Sequence, residues 1–341
     1  MSLSPITQRR LHKFKQNKRA YYSLWILGFI FMIALCAELF CNSEPYLVVC
    51  DGEVYVPFMK TYSDKTFGGG LETPADYKDP YTQSYIQKKG GWILWPPVRY
   101  GASTVNLEKT APSPPSGENW LGTDDLGRDV FARLLYGFRL SMVFGFGLMF
   151  LSVILGISAG AVQGYFGGLV DLLMQRWIEL WSGLPVLFLL IVLSGFVRPT
   201  FFWLLGIMLL FSWMRLASLV RAEFLRVRSY DYVRAAQVLG VPAWRIMVRH
   251  MLPNAMVATF TFLPFLLNHS ISTLTTLDFL GFGMPAGSPS LGELTRQAKN
   301  NLHAPWLALA SFFSIATVLM LITFLGEGLR DAFDPRRGAG K

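Results

Sequence analysis

The sequence predicts an all-α membrane protein: six transmembrane helices, with a large external insertion between the first and the second. Three observations carry that expectation. Of 341 residues, 52% are hydrophobic, 15% aromatic and only 16% charged, whereas a soluble domain carries roughly 25% charged residues. The apolar residues collect into runs long enough to cross a bilayer, which takes about 20 residues. The basic residues behind the net charge of +9 flank those runs. They do not form the single stripe that a nucleic-acid surface needs, so they read as topology signals and exclude nucleic acid as the partner.

The six spans are Tyr21–Phe40, Phe138–Gln163, Leu172–Val197, Phe201–Arg221, Asn254–Leu280 and Trp306–Gly326. Gly145, Gly147, Gly156 and Gly160 stud the second; small residues let helices approach closely in lipid, so this span is expected inside a bundle. Pro185 and Pro264 interrupt the third and fifth, which is tolerated where neighbours or a cavity satisfy the freed backbone groups. The first span follows a basic stretch, Arg9, Arg10, Lys13, Lys15, Lys18 and Arg19, as a signal peptide would. However, Leu24–Phe40 is long and contains Glu38, and Leu35 is too bulky for the lipobox that Ile33-Ala34-Leu35-Cys36 resembles. An uncleaved anchor is expected.

Orientation follows from the excess of Lys and Arg on the cytoplasmic side. The N-terminal tail has six basic residues and no acid. Six spans return the C-terminus, with Arg330, Arg336, Arg337 and Lys341, to the same side. The loop between spans four and five adds Arg226, Arg228, Arg234, Arg245 and Arg249. All three are expected to be cytoplasmic. Cys41 to Asp125 holds 11 of the 22 acidic residues against 7 Lys and Arg, which fits an external location.

Within that external segment, Tyr46–Val49 and Glu53–Val56 flank Asp51-Gly52, a two-residue hairpin signal. Thr110–Gly117 reads as an extended linker. Trp92, Trp95, Pro96, Pro97 and Tyr100 suit a membrane interface, and no periodic pattern supports a large independent core. Cys41 and Cys50 suit either a disulfide across the hairpin or, with Cys36, unlinked buried thiols.

Enzymatic signals are absent. There is no phosphate-binding loop, the only Gly-Lys pair being Gly340-Lys341. There is no His-Glu-x-x-His or paired-cysteine motif, and His12, His250, His269 and His303 are scattered. No catalytic, cofactor-binding or metal-ligating residue is assigned.

The Glu223–Pro253 loop is different. Ser229 is placed to cap a short helix, with Asp231 near its positive end. Val233, Ala236, Gln237 and Gly240 come next at helical spacing. Gly240 suits the C′ position, and Pro242 ends the helix and starts a second. The second helix is expected to put Trp244, Met247, Val248 and Met251 on one face and to end before Pro253. The two would form a rigid protrusion or, alternatively, lie on the lipid surface.

Tyr232-Val233-Arg234-Ala235-Ala236, then Gly240, then Arg249-His250-Met251-Leu252-Pro253-Asn254 resembles the EAA loop of ABC-importer permeases, in the peptide-permease version with Arg in place of Glu. Trp120-Leu121-Gly122-Thr123-Asp124-Asp125-Leu126-Gly127-Arg128-Asp129-Val130 and Gly328-Leu329-Arg330-Asp331-Ala332, continuing to Asp334-Pro335-Arg336, add to the likeness. The long insertion carrying Trp95-Pro96-Pro97-Val98-Arg99-Tyr100 is similar to that of importers of microcin C and related peptides.

The resemblance implies a type I ABC-importer permease fold in a bacterial inner membrane. It implies a second permease subunit in a heterodimer, a cytoplasmic ABC ATPase that binds ATP-Mg, a periplasmic solute-binding protein and a peptide substrate. It implies a basic tail over residues 1–20, a first transmembrane helix over 21–40, a periplasmic insertion over 41–137, a five-helix core over 138–327 with the coupling loop 223–253, and a cytoplasmic tail over 328–341. Arg234, Ala235, Ala236 and Gly240 would dock on the ATPase.

Asn268, His269, Ser272 and Asp278 are polar residues of span five. They line a translocation path in one reading and make interhelical hydrogen bonds in the other. Trp120–Arg139 reads as an interfacial helix, with contact to the binding protein as the second reading. Asp171, Arg176 and Glu179 are expected to form local ion pairs. An exporter, a channel and a membrane enzyme using His269 and Asp278 are the competing functions. The last pair is separated by about two and a half helical turns, too far for direct contact.

Overall fold

The computed structural model describes residues 5–70, 72–106, 109–197 and 199–333. Asp334, Pro335, Arg336, Arg337 and Lys341, the ends of the third motif and of the basic tail, lie outside the described residues. Among the described residues, five helices are long and apolar enough to cross a membrane, or six with one bent pair taken as a single span. The chain divides into two compact units. The first holds the described residues of Met1–Phe31, Leu140–Ala286 and Phe313–Lys341; the second holds Met32–Arg139 and Gly287–Phe312.

The N-terminal segment, expected as a tail, is a helix, α1 (Pro5–Gln16), followed by α2 (Lys18–Leu35). Asn17 breaks the two by accepting the Ala20 backbone N–H on its side chain. Phe14 and Ala20 are buried against Ala332 near the end of the last helix, α13 (Pro305–Phe333), and the Arg10 guanidinium lies 4.6 Å from the Phe333 ring centroid. Phe14, Ala20 and the end of α13 therefore lie at one end of this unit.

After the short α3 (Ala37–Phe40) and α4 (Pro80–Lys88) comes the 37-residue α5 (Val130–Phe166). Its glycines give the close approach that the sequence predicts. A methyl group on Gly156 would lie 2.9 Å from the Cβ of Leu216, and one on Gly160 would lie 2.5 Å from the Ala217 carbonyl oxygen. Gly164 meets Phe224 in the same way. All three partners belong to α8 (Phe201–Arg228). The intervening span is broken into α6 (Gly168–Ser182) and α7 (Val186–Ser194), bent by 63°. Pro185, at the break, lacks the N–H that a continuous helix would use. Arg176 pairs with Glu179 at 2.6 Å as expected, but Asp171 instead takes a two-pronged hydrogen bond from Arg221 of α8.

The second unit contains a three-stranded antiparallel sheet of order β2-β1-β3, from β1 (Leu47–Cys50), β2 (Glu53–Tyr55) and β3 (Trp92–Leu94). The predicted hairpin is present: Asp51 and Gly52 both have positive φ, 56° and 80°, as a two-residue turn joining twisted strands requires. No large core forms here, but a small one does. Val48, Phe67, Tyr77 and Ile86 are buried together, with Phe67 edge-on to both Tyr55 and Tyr77. Loop aromatics build this core, so it leaves no periodic signature. Trp95 packs against it, and Tyr100 is buried beneath the Lys78 ammonium and accepts from Asn106, which leaves Trp92 as the exposed ring among these three aromatics.

The cysteines are unlinked: Cys41 and Cys50 are buried and Cys36 is exposed. Cys41 bridges Val98, while Cys50 pairs with Glu53 in the hairpin. The disulfide reading is corrected accordingly.

The interfacial helix expected over Trp120–Arg139 is also corrected. Helix α5 begins only at Val130, after Asp129 accepts the Ala132 N–H on its carboxylate, and runs on without a break. Ahead of it, Asp124 accepts from the backbone of Leu126 and Arg128 and pairs with the Arg128 and Arg133 side chains. The polar residues of this turn are thereby used in a folded knot. Last, α12 (Leu291–Asn300) is an amphipathic helix that the apolar runs did not reveal. Its signal was present: Ser290 and Glu293 in capping spacing, with Leu291, Leu294 and Ala298 on one face.

Two measurements check these contacts. Gly160→Leu is expected to lower the melting temperature of the detergent-purified chain, with a cost of about 1–3 kcal/mol from overpacking. Gly206→Leu, where nothing lies within 4 Å, serves as the control. Burial and, second, the charge of Asp129 push the Cys41 thiol up to about 12. Its alkylation at pH 8 is therefore expected to be on the order of a thousandfold slower than that of an ordinary thiol in the folded protein. Mapping by mass spectrometry is expected to show Cys41 and Cys50 both modified after denaturation without reductant.

Candidate functional site

The Glu223–Pro253 loop begins inside a helix, because α8 continues to Arg228. Ser229 does not cap the next helix. It closes α8 instead, its hydroxyl donating to the Arg226 carbonyl at 2.7 Å. The short helix is α9 (Asp231–Val238), and Tyr230 stands at its cap without a side-chain bond. Its far end forms as predicted. Gly240 has φ +74°, the Val241 N–H donates to the Ala236 carbonyl at 3.1 Å, and the Gly240 N–H donates to that of Gln237 at 3.0 Å. This is the paired bond pattern of a helix closed by a left-handed residue.

The second helix differs from expectation. After α10 (Ala243–Arg245), residues Ile246–Met251 form a wide π turn that leads directly into α11 (Leu252–Leu280). Pro253 therefore sits in the first turn of a continuing helix and does not terminate one. A wide turn at this place relieves the clash that the proline ring would make with the carbonyl four residues earlier. It also rotates the buried face. Ile246 and Met251 are buried, whereas Trp244 and Val248 are 60% and 55% exposed. The His250 carbonyl of the π turn accepts from the Asn254 side chain at 3.3 Å and from the Tyr232 hydroxyl at 3.4 Å, and Asn254 also donates to that hydroxyl at 2.9 Å. These bonds tie α9 to α11.

The two faces of α9 differ in kind. Val233 and Ala236 are buried with Ile246, Met251, Phe224 and Val227. Arg234, Ala235 and Gly240 are exposed, and Val238 and Leu239 are 88% and 81% exposed. Of the four residues singled out in the sequence, Ala236 thus contacts this chain's own core, and the other three lie at the surface.

The polar residues of α11 separate similarly. Asn268 donates to the Leu319 carbonyl and to the Thr323 hydroxyl of α13 at 3.0 and 2.9 Å. The Ser272 hydroxyl donates to Asn268 at 3.4 Å. Asp278 is buried and accepts the Met284 N–H at 2.6 Å, pinning the turn after α11. These three make the interhelical or local bonds of the structural alternative. His269 alone among the four lines a cavity of about 320 Å³, which also touches α5, α8 and the α6–α7 break. Sequence reasoning missed Arg215, which lies on the same wall; a charged residue within an apolar run was the available signal. Among the described residues, no three His, Cys, Asp or Glu side chains are grouped to hold a metal ion.

Helices of membrane length, with a short helix exposed at the turn between two of them and apolar on its free side, give the chain the form of a membrane protein with a docking surface. Residues 152–338 match the family described as binding-protein-dependent transport system inner membrane component, and residues 4–59 match the N-terminal transmembrane domain of oligopeptide transport permease C. The chain is 56% identical over 337 residues to the inner membrane ABC transporter permease protein YejE of Escherichia coli K12, covering 98% of each chain. It is 51% identical over 360 residues to the peptidoglycan transport system permease protein YejE of Agrobacterium fabrum, covering 98% of this chain and 94% of that one. It is 33% identical over 239 residues to the oligopeptide transport system permease protein OppC of Bacillus subtilis, covering 70% and 78%. The chain belongs to the family of binding-protein-dependent transport system inner membrane components. It is a multi-pass permease subunit of an ABC importer, not an enzyme; an ATPase and a binding protein are its general partners, and hydrolysis takes place in the ATPase.

Tyr232→Phe removes the hydroxyl that joins Asn254 and His250. Hydrogen exchange at the α9 amides is expected to rise about fivefold to tenfold, in line with the ~1 kcal/mol of one net hydrogen bond, with the α5 amides unchanged.

Proposed function

We propose that this chain forms half of the translocation path of an ATP-driven peptide importer and that α9 transmits the motion of a separate ATPase to the helices. The observation that carries this reading is the two-faced α9: its outer face presents Val238, Leu239 and Arg234, while its inner face is bonded to α11. A helix both rigidly attached and apolar on its free side is suited to rest in a cleft of another protein. In this role Arg234 and Ala235 face the ATPase, Gly240 closes the helix, and Ala236 seats it on the permease.

The bent α6–α7 pair counts as one of six spans, and residues 41–137 form the periplasmic insertion. The 1–20 and 328–341 segments face the cytoplasm with the 223–253 loop; the packing of Phe14 and Ala20 on Ala332 supports a shared side for the two ends. A second permease subunit completes a heterodimer around the core, residues 138–327. ATP-Mg binds in the partner ATPase, and a periplasmic protein delivers the peptide. The names of the relatives, which refer to peptidoglycan and oligopeptide transport, support peptides as cargo. The long insertion supports peptide conjugates such as microcin C. His269 faces the path, and Asn268, Ser272 and Asp278 hold the helices that bound it.

Leu239→Asp places an unpaired charge where an apolar surface must be desolvated. Peptide uptake is expected to fall at least tenfold, and the ATPase to be lost on purification, with the permease itself at normal abundance in the membrane. Full uptake with the ATPase retained would remove α9 from the coupling path.

A further inference from the structure

Arg215 lies 14 residues into α8, about 21 Å along its axis, well within a hydrocarbon core about 30 Å thick. Among the described residues it makes no ion pair and no hydrogen bond with a side chain or carbonyl, although Arg221, two turns along the same helix, is held by Asp171. An arginine facing lipid at this depth would cost about 2.5–3.5 kcal/mol. Arg215 instead lines the 320 Å³ cavity with His269 and the hydroxyl residues Ser182, Ser212 and Thr273. No Asp or Glu is among the lining residues. The wall also includes Ser182 and Val186, the residues on either side of the α6–α7 break. Irregular backbone at membrane depth is tolerated where it borders protein or a water-filled cavity.

A permanent cation and a histidine with no acid beside them make this mostly apolar wall electropositive, while the Ser182, Ser212 and Thr273 hydroxyls are bonded to Glu179, Ser152 and His269. We propose that Arg215 is a carboxylate-binding residue of the translocation path and grips the C-terminal carboxylate of the transported peptide. The planar guanidinium offers two parallel N–H donors that match a carboxylate; the Ser182 and Thr273 hydroxyls on the same wall donate to the Glu179 and His269 carbonyls, so the grip rests on Arg215 itself. The proposal rests on the peptide-importer reading given above.

The test uses the complete complex, co-purified with its second permease subunit and ATPase, reconstituted in vesicles and supplied with its binding protein. Uptake of one peptide is measured with a free C-terminus and with a C-terminal amide, for wild type and for Arg215→Gln. The mutant-to-wild-type ratio is taken for each peptide, which cancels any preference of the binding protein. Arg215→Gln is expected to reduce uptake of the free acid about tenfold to a hundredfold, as loss of a charge-assisted hydrogen bond implies, and to affect the amide at least fivefold less. A difference below fivefold overturns the proposal, because a structural role would lower both peptides alike. If Arg215→Gln fails to accumulate, Arg215→Lys replaces it; the charge stays, the fork is lost, and a difference of at least twofold between the peptides is required. Repeating the measurement in vesicles of zwitterionic lipid alone separates a second anion source. A mutant effect that vanishes there would assign Arg215 to a lipid headgroup and overturn the proposal. If the wild-type complex carries neither peptide, the peptide-importer reading fails first.

Discussion

Between α5 and α8 the residues Gly156, Gly160 and Gly164 carry no side chain, and the two backbones meet. Lipid tails are as apolar as leucine, so no hydrophobic effect drives two spans together; their affinity comes from close van der Waals contact and from interhelical hydrogen bonds. A stripe of glycines four residues apart supplies the first, and the Ser152–Ser212 hydrogen bond between the same helices supplies the second. With α8 held this way, its last two turns project as a fixed stem, and Phe224 and Val227 on that stem form the floor on which α9 sits. The position of the exposed loop is therefore set by packing inside the membrane-length helices.

This dependence explains which features were legible in the sequence. Spans are long apolar runs, so their existence was readable, and so were the glycine contacts and the closure at Gly240. Each comes from the residue's own backbone or size. The π turn before Pro253 was not readable. Proline usually marks an end, and only the burial of Ile246 and Met251 against α8 makes continuation with a local widening the better solution. The same holds for Ser229, whose hydroxyl had two helices to serve and closed the earlier one. In span five the residue types suggested polarity without direction. The placement of Asn268 towards α13 and of His269 towards the cavity depends on which neighbours surround α11.

The second unit shows the opposite balance. Its core is small and aromatic, and much of its order comes from polar groups. Asp124 alone takes up two backbone donors and two arginines, and Arg133 reaches the carbonyls of Ala102, Gly287 and Ser288. A buried arginine is tolerable only when its charge and its donors are both answered. Here one carboxylate answers the charge and three carbonyls accept from the two terminal nitrogens. The motif Thr123-Asp124-Asp125-Leu126-Gly127-Arg128-Asp129, part of the family resemblance, thus has a physical reason. It ties the turn before α5 to the segment that precedes α12.

The two alanines of α9 illustrate how far a motif can be read without coordinates. Both are small, and a steric account in which each admits the partner's surface treats them alike. Their environments differ: Ala235 is exposed, while Ala236 is 8% exposed and lies against the stem formed by α8 and the π turn. A larger side chain at Ala236 would lift α9 off its own seat, and one at Ala235 would change only the outward surface. The proposed transmission of force needs both contacts, because a helix that is tight on its partner but loose on its stem would move without moving the spans. The Tyr232–Asn254–His250 bonds supply the inner contact by polar means, with fixed direction, where apolar packing alone would permit sliding. The proposed coupling role thus depends on the inner face of α9 as much as on the outer one.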